Sequence, residues 1–256
     1  MTTRSDEADR ETGPLRLFRT WLAFIAVAAL VLGAGLARAE DQPARADIWG
    51  LKLGTPAAAL PRDAFADYAC GSNGGPPQQS LVGWTDYDKC RPEPNGLREV
   101  YFRYDDELEY WAKAHRAQTP IAQYSGTKVL DFPVVISGLF DAGGTLAGLR
   151  IVTDPQVSPQ ERKQAYTLSN FLMARFGSEG WDCSDSPPTP GETPVGTLYI
   201  NRHCTKLVKV DMRAVLEIRF LRKPGQAEFT GSGKLTVGQF ESSTRLDLLL
   251  PDIPVE

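Results

Sequence analysis

Histidine is scarce in this chain, and sequence motifs of common catalytic chemistry are missing. The 256 residues include two histidines, His115 and His203, which form neither an H-E-x-x-H motif nor an i, i+4 pair. Zinc ligands usually show such spacings, so we expect no metal ion and no cofactor. The G-x-S-x-G pattern of serine hydrolases is also absent. Carboxylate-pair chemistry needs no sequence motif, because it depends on separations in space, and a carboxylate-dependent envelope hydrolase therefore stays open as an alternative function.

The chain has no excess of basic residues. It carries 28 lysines and arginines against 32 acidic residues, and residues 40–256 carry 23 against 28. Nucleic-acid binding needs a basic face, and strong attraction to anionic lipids needs a basic cluster. We therefore expect no nucleic-acid partner, and a membrane partner only if the N-terminal apolar segment is not cleaved.

No long transmembrane stretch is present, but a shorter apolar run lies near the N-terminus. The run from Trp21 to Leu36 spans 16 residues, fewer than the ~20 that cross a bilayer comfortably. It follows Arg16 and Arg19 and precedes Ala37-Arg38-Ala39, which is the order of a secretory signal peptide cleaved after Ala39. No cysteine follows the run, so a lipoprotein signal is not indicated.

These features predict a signal peptide at residues 1–39, a linker at 40–47 and an exported globular body at 48–256. The expected location is the periplasm or the extracellular space. The alternative is an uncleaved N-terminal anchor, which would hold the body outside the cytoplasm on the membrane.

Close Cys-x₂₋₄-Cys pairs are also lacking. The four cysteines are Cys70, Cys90, Cys183 and Cys204, and four thiols allow three pairings. Their spacing favours two local disulfides, Cys70–Cys90 and Cys183–Cys204, in an oxidising compartment. The alternative, a Cys₄ metal site, usually has closer pairs.

Alternating apolar residues predict an antiparallel sheet. A strand is indicated from Leu97 to Tyr104, and a hairpin from Val134–Phe140 and Leu146–Thr153 around Asp141-Ala142-Gly143-Gly144. A short strand is predicted at Ile48 to Leu53. A C-terminal meander is predicted from Thr197–Ile200, Lys206–Met212, Ala214–Leu221, Leu235–Phe240 and Arg245–Leu250.

Two helices are predicted to pack on one face of this sheet, which gives an α+β fold with two disulfide-pinned loops. The first begins at Asp106 and ends before Pro120, and the acidic residues at its start suit the helix dipole better than a calcium site. The second runs from an N-cap at Ser158, through Pro159 and Glu161, to Gly177.

A degenerate duplication is a further hypothesis. In both halves an aromatic-x-Cys triplet, ending at Cys70 or Cys183, precedes a Pro-rich loop, a second cysteine and a strand, with an offset near 113 residues. The halves would be residues 48–125 and 126–256.

The first bridged loop holds the candidate binding residues. Trp84 and Tyr87 lie between Cys70 and Cys90, and aromatic residues on rigid loops often contact ligands. The alternative is that Trp84 packs over the disulfide. Gly71 to Pro77 lacks the Lys-Ser/Thr pair of a phosphate loop, which favours a pinned surface loop.

The function expected from these observations is that of a non-enzymatic periplasmic or cell-envelope protein that binds a small ligand or another envelope protein. The two alternatives are the carboxylate-dependent hydrolase and a structural envelope protein held by the uncleaved anchor.

Overall fold

An antiparallel sheet dominates the computed structural model, which describes residues 48–104, 115–116, 127–227, 229, 231–234 and 239–255. Nine strands lie within these residues. They are β1 (Phe65–Cys70), β2 (Arg98–Tyr104), β3 (Lys128–Val129), β4 (Phe132–Phe140), β5 (Leu146–Thr153), β6 (Asp182–Asp185), β7 (Ile200–Lys209), β8 (Met212–Leu221) and β9 (Glu241–Leu249).

The strand order is β1-β2-β4-β5-β9-β8-β7-β6, with β3 added beside β4. Every neighbouring pair is antiparallel. The first four and the last four strands of this order mirror each other about the β5–β9 pair, and each outermost strand carries a cysteine. In this arrangement β4 and β5 belong to the same group of strands as β1 and β2. The predicted halves divide the chain at residue 126 and would instead place β4 and β5 with the later strands. The duplication itself stays a prediction.

The helices are fewer and shorter than the sequence pattern indicates. The predicted helix from Asp106 lies outside the described residues, apart from a turn at His115 and Arg116. The predicted helix from Ser158 to Gly177 is divided into α1 (Pro159–Lys163), a 3₁₀ turn (Ala165–Thr167) and α2 (Leu168–Arg175). Two main helices are therefore not confirmed, since only α2 exceeds two turns among the described elements.

Side chains from the sheet explain the interruption between α1 and α2. Ser242 accepts a hydrogen bond from the Tyr166 backbone N–H at 3.2 Å, and the Thr244 hydroxyl donates to the Ala165 carbonyl at 2.9 Å. These contacts from β9 use backbone groups that a continuous helix would pair internally. The predicted start is confirmed, because Ser158 and Glu161 form a reciprocal capping box with Pro159 in the first turn.

The helices cover one face of the sheet, and the core lies between them. Inward and outward positions alternate along β9, where the even-numbered residues from Ser242 to Leu248 are buried and Arg245 and Asp247 are partly exposed. Leu246 and Leu248 belong to the same core cluster as Leu168 and Leu172 of the helical segment. Within the residues given above, no helix is long and apolar enough to cross a membrane.

Both predicted disulfides are present. Cys70 at the end of β1 is bonded to Cys90, and Cys183 of β6 is bonded to Cys204, its direct cross-strand neighbour in β7. Two disulfides fit an extracellular or otherwise oxidising compartment.

Candidate functional site

An apolar cleft lies where the start of the described chain crosses the end of the sheet beside α2. Its volume is about 500 Å³, which is within the usual range for small-molecule sites. We call this space the cleft. It is lined by Ile48, Trp49, Leu51, Leu53, Leu149, Arg175, Phe176, Val208, Lys209, Met212 and Leu248.

The floor of the cleft is buried core, and its walls are apolar side chains that remain partly exposed. Ile48, Leu149 and Leu248 form the floor. The partly exposed walls are Trp49, Leu51, Leu53, Phe176, Val208 and Met212. Each wall residue has apolar surface that a ligand could remove from water, which contributes roughly 25 cal/mol per Å² buried.

Backbone hydrogen bonds hold the wall formed by residues 48–53. The strand predicted at Ile48 to Leu53 is wrong, because Ile48–Gly50 is a 3₁₀ turn closed by a bond from the Leu51 N–H to the Ile48 carbonyl at 3.1 Å. The Gly54 N–H then donates to the Leu146 carbonyl at 2.9 Å. This bond joins the segment to the first residue of β5, so the wall is fixed to the sheet.

Two cations stand at the rim of the cleft. The Arg175 guanidinium carbon lies 4.0 Å from the centroid of the Trp49 ring, and Trp49 in turn meets Phe176 edge to face at 5.9 Å. Lys209 ends β7 and is exposed. Among the described residues, no carboxylate forms an ion pair with Arg175 or Lys209. An uncompensated cation beside apolar surface favours a ligand that carries a negative charge next to an apolar part.

A second group of charged side chains lies on the opposite face of the sheet, around Arg150 of β5. The Arg150 guanidinium contacts Glu93 at 3.0 Å, Asp247 at 3.1 Å and Glu99 at 3.2 Å. Arg245 makes a further ion pair with Asp247 at 3.0 Å. We call these five residues the Arg150 cluster.

Arg150 and Glu99 lie almost out of contact with solvent, whereas Glu93, Asp247 and Arg245 are partly exposed and line a polar cavity of about 510 Å³. The Arg150 side chain is 3% exposed and that of Glu99 is 4% exposed. Burial alone would lower the pKa of Arg150, but the hydrogen bond with Glu93 and the charges of Asp247 and Glu99 outweigh it and raise the pKa. Arg150 therefore stays charged at every ordinary pH and forms ion pairs with all three carboxylates.

The cluster also anchors the first bridged loop. Glu99 accepts hydrogen bonds from the backbone N–H groups of Asn73 and, at 3.2 Å, of Gly74, whose φ is +82°. Backbone N–H groups of the Gly71 to Pro77 segment thus bind an anionic group, as they would in a phosphate loop. The group is the Glu99 carboxylate of the same chain. This contact fixes the loop across β2 and leaves Glu99 fully engaged.

The predicted binding residues lie in a third place. Trp84 is 2% exposed, packs against Phe65, Tyr68 and Phe102, and donates from Nε1 to the Pro61 carbonyl at 3.0 Å. Tyr87 is partly buried and stacks on Phe140 at 5.6 Å. The two residues come together over Phe140, away from the cleft. Trp84 is thus buried among aromatic side chains, and both the packing over the disulfide and a binding role for the pair stay predictions.

Sequence reasoning missed both the cleft and the Arg150 cluster. The only signal for the cleft was the apolar character of residues 48–53 directly after a polar linker. His203 lies in β7, and His115 lies in a turn with Arg116. In the part of the chain that the structure describes, no group of three or more His, Cys, Asp or Glu side chains could hold a metal ion.

Comparison with protein-family models, with curated proteins and with solved structures gives no match for this chain.

Proposed function

We propose that this protein is an exported periplasmic or cell-envelope protein that binds a small amphiphilic molecule without transforming it. The apolar part of the ligand occupies the cleft, and its anionic group meets Arg175 and Lys209. The observation that carries the proposal is the combination of a cleft of about 500 Å³ with apolar walls and two rim cations that have no carboxylate partner among the described residues.

The walls and the rim of the cleft contribute differently to binding. Burial of the exposed parts of Trp49, Phe176 and Met212 supplies affinity, and this contribution does not depend on the ligand's charge. The rim cations supply selectivity, because an anion near Arg175 or Lys209 gains an ion pair whereas a neutral group does not. A single-chain carboxylate, sulfate or phosphate amphiphile has both parts.

The Arg150 cluster weakens the case for a carboxylate-dependent hydrolase. Glu93, Glu99 and Asp247 do converge, as such an enzyme would require, but each contacts the same guanidinium. A general acid or base must be free to exchange a proton with a substrate. The three carboxylates therefore lie together because each of them pairs with Arg150, which is a structural role.

The export part of the proposal rests on two separate observations. The two disulfides fit an oxidising compartment. The order of arginines, apolar run and Ala37-Arg38-Ala39 is typical of a signal peptide. A structural envelope protein without a ligand is the competing proposal, and it gives no reason for uncompensated cations beside an open apolar cleft.

Calorimetric titration with laurate and with dodecan-1-ol, both below their aggregation limits, tests the proposal. The two probes share a chain length and differ in charge. We expect laurate to bind more tightly. The double variant Arg175→Ser/Lys209→Ser should lose most of that preference, up to about thirtyfold in affinity if each partly exposed ion pair contributes up to ~1 kcal/mol.

Two further variants complete this design. Met212→Asp places a charge in the apolar wall and should abolish binding of both probes. Arg202→Ser removes an exposed arginine whose partner is Asp185, outside the cleft lining, and should leave both affinities unchanged. Equal binding of the two probes by the wild type, or an undiminished preference in the double variant, would contradict the proposal. The double variant should also unfold within about 1 kcal/mol of the wild type, since it loses only a surface cation–π contact.

A further inference from the structure

The hairpin that joins β7 to β8 exposes apolar side chains at its end. We call Leu207–Met212 the hairpin tip. Val210 is 93% exposed and Leu207 is 61% exposed. Large apolar side chains this exposed normally mark a contact surface when they lie together, and single ones need no explanation. Here two of them lie within four residues at a tight turn between paired strands.

The hairpin tip adjoins the mouth of the cleft. Val208, Lys209 and Met212 line the cleft, while Leu207, near the end of β7, and Val210, in the turn, are exposed to solvent. Whatever covers the exposed side chains therefore also lies beside the opening through which a ligand enters.

Along residues 206–213 basic residues outnumber acidic ones, although the whole chain is acidic. Between residues 206 and 213 the chain carries Lys206, Lys209 and Arg213 against Asp211. Lys206 and Arg213 donate to backbone carbonyl groups, which do not cancel their charges. Acidic residues adjoin two of these cations, since Lys206 donates to the carbonyl of Glu179 and Arg213 donates to that of Pro251, which precedes Asp252. Lys209 is the exposed cation of the segment.

We propose that the hairpin tip docks on the surface of a bilayer that contains anionic lipid. Leu207 and Val210 enter the interfacial region, and Lys209 with its basic neighbours meets the lipid phosphates. A second copy of the chain is a poorer partner, because pairing two tips would bring like charges together. The proposal goes beyond the ligand proposed above and does not depend on it.

Tryptophan placed at the tip reports its insertion directly. In the full chain, Val210→Trp should show fluorescence quenching by brominated phosphatidylglycerol vesicles beyond that of the wild type. Val82→Trp is the matched control, since Val82 is a 67% exposed valine outside the hairpin. It should show no additional quenching. The comparison holds whether or not residues 1–39 are cleaved, because both variants share the same N-terminus.

A charge variant separates the electrostatic contribution from the apolar one. Lys209→Ser in the Val210→Trp background should weaken binding to phosphatidylglycerol vesicles about fivefold, at roughly 1 kcal/mol per basic residue. It should leave the weaker binding to phosphatidylcholine vesicles unchanged.

Three results would overturn the docking proposal. They are no additional quenching at Val210→Trp, equal quenching at Val82→Trp, and a concentration-dependent dimer in gel filtration that Val210→Asp abolishes. The last would assign the tip to a second copy. Laurate titration of Val210→Ser keeps the two proposals apart, because that variant removes the apolar side chain without adding a charge beside Lys209 and should retain wild-type affinity for the cleft ligand.

Discussion

The Arg150 cluster and the rim of the cleft both place arginines among other functional groups, yet they differ in charge compensation. Around Arg150 three carboxylates surround one buried guanidinium, and Arg245 adds a second positive charge. At the rim, Arg175 lies over an indole ring at 4.0 Å, and the described part of the chain supplies no carboxylate to it. Each carboxylate around Arg150 has a cationic partner within the protein, whereas Arg175 and Lys209 have no carboxylate partner among the described residues.

This difference changes how charged residues indicate a function. A group of converging carboxylates suggests catalysis unless an arginine lies between them. The sequence does not reveal this arginine, because Glu93 is 57 residues from Arg150 in the chain. A cation beside apolar side chains is a weaker sequence signal. Without a carboxylate partner among the described residues, however, its charge is available to a ligand. We therefore expect substitutions in the Arg150 cluster to alter stability and substitutions at the rim to alter binding.

The sharpest test of this division is Arg150→Met. The change leaves three largely buried carboxylates without their shared counter-charge, which typically costs about 3–5 kcal/mol of the free energy of unfolding. Urea denaturation measures this loss. Arg175→Met is the matched control and should cost about 1 kcal/mol or less. A loss below ~1 kcal/mol for Arg150→Met would break the comparison and reopen the hydrolase alternative.

Trp84→Ala extends the comparison to the first bridged loop. Removal of a buried tryptophan leaves a cavity and should lower the free energy of unfolding by about 3–5 kcal/mol. Tyr87→Ala, at a partly buried position stacked on Phe140, should cost about 1–2 kcal/mol. Thermal denaturation of both variants decides between packing and surface roles. If Trp84→Ala has the same melting temperature as the wild type, Trp84 does not stabilise the fold, and the result favours a binding role for this loop.

The smallest expected effect is that of Asp185→Asn, which removes an exposed ion pair. The hydrogen bond from Arg202, together with its charge, lowers the pKa of Asp185 below its ordinary value. Because the folded-state pKa is depressed, the pair stabilises the fold above the unfolded-state pKa of ~3.9 and stops doing so as the pH falls through the folded value. Solvent screening keeps this contribution within about 1 kcal/mol at pH 7.

Urea denaturation of the wild type and Asp185→Asn at several pH values measures this dependence. The difference should be small at neutral pH and should vanish in strong acid. A difference above ~2 kcal/mol at pH 7 would mean that exposed and buried ion pairs in this protein do not differ as described.

Several local patterns in the sequence predicted local structure correctly, although the strand expected at Ile48 to Leu53 is a 3₁₀ turn. The alternation around Asp141 to Gly144 gave the β4–β5 hairpin, the Ser158 box gave the start of α1, and cysteine spacing gave both disulfides. Each of these features depends on residues within about twenty positions of one another.

Features that depend on distant residues were not predictable. The helix after Ser158 is divided by hydroxyl groups of β9 that lie 76 and 79 residues further along the chain. Arg150 meets Asp247 across 97 residues. The cleft combines residues 48–53 with five later segments, so no single stretch of sequence carries its pattern. Periodicity reports which face of an element is buried, but it does not report which distant element covers that face.

The place of β9 has a consequence for the order of folding. It is the last described strand along the chain, yet it lies between β5 and β8 in the sheet. Until residues 241–249 are available, β5 and β8 each lack a neighbour, and the two groups of strands have no shared ladder. Pairings over such sequence separations form late, because loop-closure entropy must be overcome first. A chain that crosses a membrane from its N-terminus would therefore complete this sheet only after residues 241–249 had crossed.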